Sequence, residues 1–155
     1  MRLKIKFLLT VFAFLLCQTQ VFSQKPNYSG TWKINLQKSK FEAKWTNGLT
    51  DGEFKIIQAG DKFKWSRYFI IKGKKSKMRL NMIADGKVRR KKFFLFKTKL
   101  EWQGDTLKVK IWRNGFSDVV EYKFGENENE LIIDEVFVGR PQDYHNHYVL
   151  EKQQQ

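Results

Sequence analysis

Apolar and polar residues alternate one by one along several stretches of the chain. In residues 62–71, Phe63, Trp65 and Phe69 share one parity, and lysines take several positions of the other parity. The stretches with this pattern are 62–71, 77–82, 107–111 and 119–124. Alternation with period two places successive side chains on opposite faces of a strand. It therefore predicts antiparallel strands with one dry face and one wet face.

Turn-forming dipeptides divide the chain into short segments, most of them about 8–14 residues long. These dipeptides include Asn47-Gly48, Asp51-Gly52, Asp85-Gly86 and Asn114-Gly115. The segments predict strands near 29–36, 53–59, 62–72, 77–84, 87–103 (one strand or two), 106–113, 117–125, 130–138 and 145–152. Beyond the first 23 residues, Val, Ile and aromatic residues number 36, whereas Ala, Leu and Met number 13. That balance favours strands over helices.

An open sheet of nine or ten strands would expose two aggregation-prone edges. We therefore predict that the sheet closes on itself. The expected fold is all-β, a single antiparallel up-and-down barrel of about 8–10 strands, which is wide enough to hold one small ligand.

The first 23 residues have the organisation of a secretory signal peptide. Three positive residues precede an apolar run over 7–17, and a site suited to cleavage ends at Ser23. We expect a signal peptide over 1–23 and one lipocalin-like barrel domain over 24–155. The expected location is the periplasm or the outside of the cell.

The only cysteine of the chain, Cys17, lies inside this predicted signal. The residue before it is Leu16, which is larger than lipid-attachment signals prefer, so we expect cleavage rather than a lipid anchor. The barrel domain then has no disulfide, no thiol nucleophile and no cysteine metal ligand. It also has no further apolar run of 18 residues, so we expect no transmembrane helix.

The start of the barrel domain, Tyr28-Ser29-Gly30-Thr31-Trp32-Lys33-Ile34, resembles the first strand of the calycins, which include lipocalins and fatty-acid-binding proteins. The shared mark is Gly-x-Trp, here Gly30 and Trp32. The resemblance implies a barrel whose base Trp32 closes. Only 16 residues separate Leu36 from Glu53, too few for the two-helix lid of fatty-acid-binding proteins. The paired Arg and Tyr that fatty-acid-binding proteins place on the last strand are absent as a pair from 145–152, so we expect a lipocalin-like barrel without a fatty-acid site.

Arg67 shares the apolar face of its strand with Trp65 and Phe69, and an unpaired charge facing a dry interior is costly. It is a candidate anchor for an acidic ligand group. The alternative is a structural role, in which Arg67 stacks on an aromatic ring or pairs with Asp134 or Glu135. The apolar residues that we expect to line a ligand cavity, or else to fill a core, are Trp65, Phe69, Met78, Leu80, Met82, Tyr122 and Phe124.

The chain carries a formal net charge of +14, and its basic residues are concentrated in the middle. Between Lys62 and Lys110 there are 17 Lys or Arg residues and three acidic ones. The densest basic patch is Arg89, Arg90, Lys91 and Lys92. Such a face attracts polyanions, here an envelope polyanion such as lipopolysaccharide, an acidic glycan or phospholipid, with nucleic acid a weaker candidate. The alternative is a solvated surface that keeps the protein soluble.

Asp143, His145 and His147 recur at every second position, a spacing that could place three metal ligands on one strand face. Two polar residues at a strand start explain the same pattern. The chain has no nucleophile elbow, zincin helix motif, phosphate loop or dinucleotide loop, so we expect neither an enzyme nor a cofactor.

Taken together, the sequence predicts an exported barrel that binds a small apolar or amphipathic molecule. The first alternative is a filled barrel whose basic outer face binds an envelope polyanion. The second is a metal-dependent enzyme that uses Asp143, His145 and His147. Neither the ligand nor the oligomeric state follows from the sequence.

Overall fold

The computed structural model describes residues 25–91 and 95–154. The predicted signal peptide and Lys92 of the predicted basic patch lie outside these residues. No helix in the described part of the chain is long and apolar enough to cross a membrane.

Within residues 25–91 and 95–154, eleven antiparallel strands form one sheet. They are β1 (Gly30–Ile34), β2 (Lys40–Phe41), β3 (Leu49–Ala59), β4 (Lys62–Ile71), β5 (Lys74–Ile83), β6 (Arg89–Lys91), β7 (Phe96–Gln103), β8 (Thr106–Arg113), β9 (Phe116–Phe124), β10 (Glu130–Gly139) and β11 (Tyr144–Lys152). A short 3-10 helix, Lys44–Thr46, lies between β2 and β3.

The strands follow one another as a meander that the last strand joins to the first. The hydrogen-bonded order is β5-β4-β3-β1-β11-β10-β9-β8-β7-β6, and the short β2 pairs with β11. The β1–β11 ladder brings the first and last strands together, with Ile34 opposite Leu150. The prediction of an all-β up-and-down architecture is confirmed.

The differences from the predicted strands have local causes. The chain reverses at Asn47-Gly48, whereas Asp51-Gly52, predicted as a turn, lies inside β3 at a register irregularity. A Cβ on Gly52 would collide with the side chains of Ile34 and Phe69, so the glycine permits close packing here. The predicted segment 87–103 is two strands, and the two-residue β2 carried no alternation that could predict it.

The core is rich in aromatic side chains. Trp32 is fully buried and its Nε1 donates a 3.0 Å hydrogen bond to the carbonyl of Tyr28. The Tyr28 ring lies 4.8 Å from Phe124 and 5.8 Å from Trp102, measured between ring centroids. These rings pack together and fill the interior near Trp32. The region around Arg67 is not filled in this way.

Strand β5 is the most exposed strand of the sheet. Residues 74–79 are exposed on both faces, and only Met82 of this strand is buried. Among the described residues, no ladder joins β5 to β6, so the two ends of the hydrogen-bonded series flank a seam in the barrel. The inner face of β5 is therefore accessible from outside along residues 74–79.

Candidate ligand-binding site

Strand register places three polar side chains on the inner face near one end of the barrel. Asp118 of β9 lies opposite Phe137 of β10, and the next inward position pairs Val120 with Glu135. Glu135 in turn lies opposite Asn146 of β11. The other inward side chains of β9 and β10 are aliphatic or aromatic, so the register places this polar cluster among hydrophobic side chains.

A cavity of about 280 Å³ lies beside this cluster, between β4 and β5 on one side and β9, β10 and β11 on the other. Its lining residues are Trp45, Arg67, Phe69, Ile71, Ser76, Met78, Asp118, Glu135, Phe137 and Tyr144. Glu135 is 2% exposed, whereas Trp45 is 37% and Met78 43% exposed. The cavity therefore opens near the 3-10 helix and β5, and Glu135 lies at its inner end.

A second hollow of about 350 Å³ adjoins the first. The two share Trp45, Phe137 and Tyr144 in their linings. The rings of Phe137 and Tyr144 are stacked at 5.0 Å. These three aromatic side chains therefore border both hollows.

Glu135 is held by two hydrogen bonds at the inner end of the cavity. Its Oε2 accepts a 2.5 Å bond from the Tyr148 hydroxyl and a 2.9 Å bond from Asn146 Nδ2. Asn146 Oδ1 accepts the backbone N–H groups of Glu42 and Ala43, which fixes the amide orientation. Burial and the adjacent Glu135 carboxylate raise the pKa of the Tyr148 hydroxyl, which stays protonated and remains a donor.

Arg67 reaches the same cavity from β4, with 21% of its side chain exposed. Its Nη1 lies 3.9 Å from Glu135 Oε1, and its guanidinium carbon lies 5.2 Å from the Phe69 ring centroid. Within the described residues, Arg67 therefore forms an ion pair with Glu135, one of the two acidic partners considered from the sequence. The separation exceeds a hydrogen-bond length.

Asp118 has the most perturbed carboxyl group of the site. Burial raises its pKa to about 7, the nearby Glu135 carboxylate adds to the increase, and the Arg67 charge opposes it. Its Oδ1 is buried and has no hydrogen-bond partner among the described residues. A buried carboxylate oxygen without a partner is costly, and perturbed groups of this kind concentrate in functional sites.

Solved structures of three other proteins share this architecture at low sequence identity. A zebrafish ileal bile acid-binding protein complexed with cholic acid is 14% identical, and the match covers 81% of this chain and 98% of that chain with a TM-score of 0.55. A secretory abundant heat soluble protein from Ramazzottius varieornatus is 17% identical, with coverage of 81% and 94% and a TM-score of 0.56. A single-site mutant of the fluorescent protein UnaG is 15% identical, with coverage of 83% and 97% and a TM-score of 0.57.

The fold is a calycin-type barrel. This confirms the structural part of the resemblance at Gly30 and Trp32. Neither a protein-family model nor a curated protein sequence matches the chain.

Within the calycin-type barrel, the residues predicted to line a ligand cavity divide into two groups. Phe69, Met78 and the candidate anchor Arg67 line the cavity, and Phe69 belongs to the buried core as well. Trp65, Met82 and Tyr122 belong to the buried core, and Leu80 and Phe124 pack against it. Their role in binding stays a prediction, and the cavity residues are the stronger candidates.

Sequence reasoning missed Asp118 as a site residue and named Glu135 only as a partner for Arg67. A signal was present, because Asp118 has the parity of Val120 and Tyr122, and Glu135 has the parity of Ile133. An acidic residue on the apolar parity of a strand faces the interior. Trp45 could not be found in this way, because it lies on a short helix outside the alternating strands.

The candidate metal ligands do not come together as a set of three. Asp143 Oδ1 accepts a 2.7 Å hydrogen bond from the Gly139 N–H. His147 Nδ1 lies 2.7 Å and His145 Nε2 3.4 Å from Asp134 Oδ1. No group of three His, Cys, Asp or Glu residues within 25–91 and 95–154 could hold a metal ion.

The predicted basic patch is partly neutralised. Arg89 donates two hydrogen bonds to Asp85, of 2.8 and 2.7 Å. The hydrogen bond from Arg89 holds the pKa of Asp85 well below its usual range. Arg90 is exposed on the same short strand.

Proposed function

We propose that this calycin-type barrel binds a small apolar or amphipathic molecule in the cavity between β4 and β10. The observation that carries the proposal is the combination of aromatic and aliphatic walls with a buried polar cluster at the inner end. Pockets for small molecules commonly have this division between apolar lining and a few convergent polar groups. We assign the protein a binding role rather than a catalytic one, and we propose that it acts after export.

Two of the similar solved structures support a small-molecule ligand of this class. One is named as a bile acid-binding protein and contains cholic acid, and another is named as a fatty acid transporter. Their identities to this chain are 14% and 9%, so they support the class of ligand and no particular compound.

The size of the cavity limits the ligand. A volume of about 280 Å³ is near the lower end of ordinary ligand pockets, which span roughly 300–1,000 Å³. A longer molecule would have to reach the adjoining hollow past Trp45 and Tyr144. We therefore expect a ligand of modest size, with its apolar part against Phe69, Ile71 and Phe137.

Substitution of Ser76 by tryptophan tests this location. Ser76 lines the cavity from β5, so a tryptophan there is expected to occupy the cavity and reduce uptake of the neutral fluorescent probe N-phenyl-1-naphthylamine at least about tenfold. The matched control is Lys77→Trp, because the adjacent residue points to the outer face. Equal uptake by Ser76→Trp and Lys77→Trp would contradict the proposed site. Absence of uptake by the unsubstituted protein would contradict a cavity for apolar molecules.

A second candidate function rests on the outer face of β4 and β5. Five exposed cations project there: Lys62, Lys64, Lys75, Lys77 and Arg79. In the part of the chain that the structure describes, none of them forms an ion pair with a carboxylate. We call this surface the basic outer face. Unpaired cations in adjacent rows are suited to an anionic polymer or an anionic lipid surface.

Salt dependence separates this second function from binding in the cavity. If the basic outer face binds a polyanion, affinity for heparin, used as a model polyanion, should fall steeply between about 50 and 200 mM salt, as counterion release requires. The double variant Lys64→Gln/Lys77→Gln should reduce that slope by about two. Heparin affinity that ignores both salt and these substitutions would exclude the basic outer face as the binding surface.

A further inference from the structure

The inner end of the cavity contains hydrogen-bond donors and acceptors that no described residue uses. Asp118 Oδ1 is a buried acceptor without a partner among the described residues. Within residues 25–91 and 95–154, the guanidinium of Arg67 forms one hydrogen-bond contact, 3.9 Å to the Met78 sulfur, and one ion pair, with Glu135. An arginine offers five N–H donors, so Arg67, which lines the cavity, keeps donors that the described residues do not use.

The gap between Arg67 and Glu135 is suited to a third group. Their closest atoms, Nη1 and Oε1, are 3.9 Å apart, which is longer than a hydrogen bond. Within the described residues, the two hydrogen bonds to the Glu135 side chain, from Asn146 and Tyr148, both use Oε2. Oε1 can therefore still accept a hydrogen bond. A polar atom that lies beside this pair on the cavity side, about 3 Å from each of the two atoms, can therefore accept from Arg67 and donate to a carboxylate oxygen.

The charges around the gap discriminate between possible head groups. A carboxylate would attract Arg67 but would be repelled by Glu135 and Asp118, in a site where burial already disfavours negative charge on Asp118. An ammonium group would be attracted by the two carboxylates but repelled by the Arg67 charge. The N–H donors of Arg67 would also remain unused. An uncharged group that both donates and accepts hydrogen bonds can accept from Arg67 and donate to a carboxylate. It is repelled neither by the Arg67 charge nor by the carboxylates.

We infer that the polar end of the ligand is an uncharged group that both donates and accepts hydrogen bonds, such as a primary amide or a hydroxyl, and that it lies between Arg67, Glu135 and Asp118. This inference rests on the proposed function, because it assigns the polar end of a molecule bound in the same cavity. It separates the ligand of this chain from acids that bind through a carboxylate. Asp118 is the residue that excludes such acids.

A series of ten-carbon compounds that share one chain length tests the head group. The purified protein is loaded with N-phenyl-1-naphthylamine at about pH 8, and the probe is displaced by decanamide, 1-decanol, decanoate, decylammonium or methyl decanoate. We expect decanamide and 1-decanol to displace the probe at concentrations about tenfold lower than decanoate and methyl decanoate, the difference that one or two buried hydrogen bonds provide. Tightest binding by decanoate, decylammonium or the ester would overturn the inference.

A matched pair of variants tests the part assigned to Asp118. Asp118→Asn removes the repulsion of an acid by Asp118 and leaves that by Glu135, so the preference for decanamide over decanoate should fall at least about threefold. Glu121→Gln is the control, since Glu121 lies on the same strand but points outward, 2.7 Å from Lys108. Equal changes in both variants would overturn the role of Asp118.

The outcomes also separate this inference from the proposed function. If the protein takes up the probe but prefers decanoate, the result supports the proposed function and contradicts the head-group inference. The same holds for a protein from which none of the five compounds displaces the probe. A protein that never takes up the probe contradicts the proposed function itself.

Discussion

Replacement of Asn146 by alanine is expected to lower the free energy of unfolding by about 4 kcal/mol. Asn146 is fully buried and joins two parts of the structure that are distant in sequence. Its Oδ1 accepts the N–H groups of Glu42 and Ala43, and its Nδ2 donates to Glu135 and to the Tyr148 hydroxyl. The alanine variant leaves these backbone donors without their acceptor and the Glu135 carboxylate with one donor fewer.

Chemical denaturation of Asn146→Ala measures this loss directly. Asn81→Ala is a suitable control, because Asn81 is exposed on the outer side of β5 and a change there should stay within about 0.5 kcal/mol. A loss below about 1 kcal/mol in Asn146→Ala would mean that the polar cluster at the inner end of the cavity is not organised as described. The cavity would then lose its fixed inner wall.

Replacement of Asp118 by asparagine is expected to stabilise the fold at pH 8 by about 3 kcal/mol and to have little effect at pH 4. The pKa of Asp118 is raised from 3.8 to about 7 in the folded protein, because burial and the Glu135 carboxylate disfavour its charge. Between these two values the folded state holds a proton that the unfolded state has lost. The contribution of Asp118 to the free energy of unfolding therefore falls as pH rises from about 4 to about 7. The asparagine variant has no such ionisation and avoids the loss.

The groups that face Asp118 determine the size of this effect. Glu135 of β10 increases the pKa shift and Arg67 of β4 opposes it, while Tyr144 of β11, whose pKa burial and Glu135 raise to about 12, stays neutral in this range. Denaturation of the wild type and Asp118→Asn at about pH 4, 6 and 8 gives the required comparison. A difference that does not grow with pH would contradict the assigned pKa.

Asp134 provides the opposite control on the neighbouring strand. Burial alone would raise its pKa, but the hydrogen bond and charge of His147 and the charge of Lys123 outweigh burial and lower it. A lowered pKa contributes stability above its unfolded value that is lost as pH falls. Asp134→Asn should therefore destabilise the protein at about pH 8, whereas Asp118→Asn stabilises it.

A site that reduces stability is consistent with selection for binding rather than for folding. An apolar residue at position 118 would pack against Ile111 and Phe137, its cross-strand neighbours, without any buried charge. The chain instead keeps a carboxyl group beside a cavity and opposite Arg67. We propose that the ligand supplies the hydrogen bonds that this group lacks.

The strands were predictable because their local signal is strong. The alternation of residues 107–111 fixed which side chains face inward, and Leu107 and Val109 are indeed buried. The same parity correctly placed Arg67 on the inner face beside Trp65 and Phe69. Period-two patterns predict the face of a residue reliably, because a shift of the strand register by one residue would move every inward side chain to the solvent face.

The cavity was not predictable, because parity does not report what lies across the barrel. Trp65 and Phe69 have the same pattern and both belong to the buried core, yet only Phe69 of the two also lines the cavity. The difference depends on contacts between strands far apart in sequence, such as the 5.9 Å approach of the Trp65 and Tyr122 rings. The contribution of Trp45 depends on the path of a loop that no strand pattern describes.

The most direct test of the central claim is native mass spectrometry of the protein purified from its own host, followed by solvent extraction of any bound molecule. We expect one small molecule per chain, with an apolar part and an uncharged polar end, that is lost in Ser76→Trp and retained in Lys77→Trp. A protein that carries no small molecule and also excludes N-phenyl-1-naphthylamine would contradict a ligand-binding barrel. The basic outer face would then become the leading functional surface.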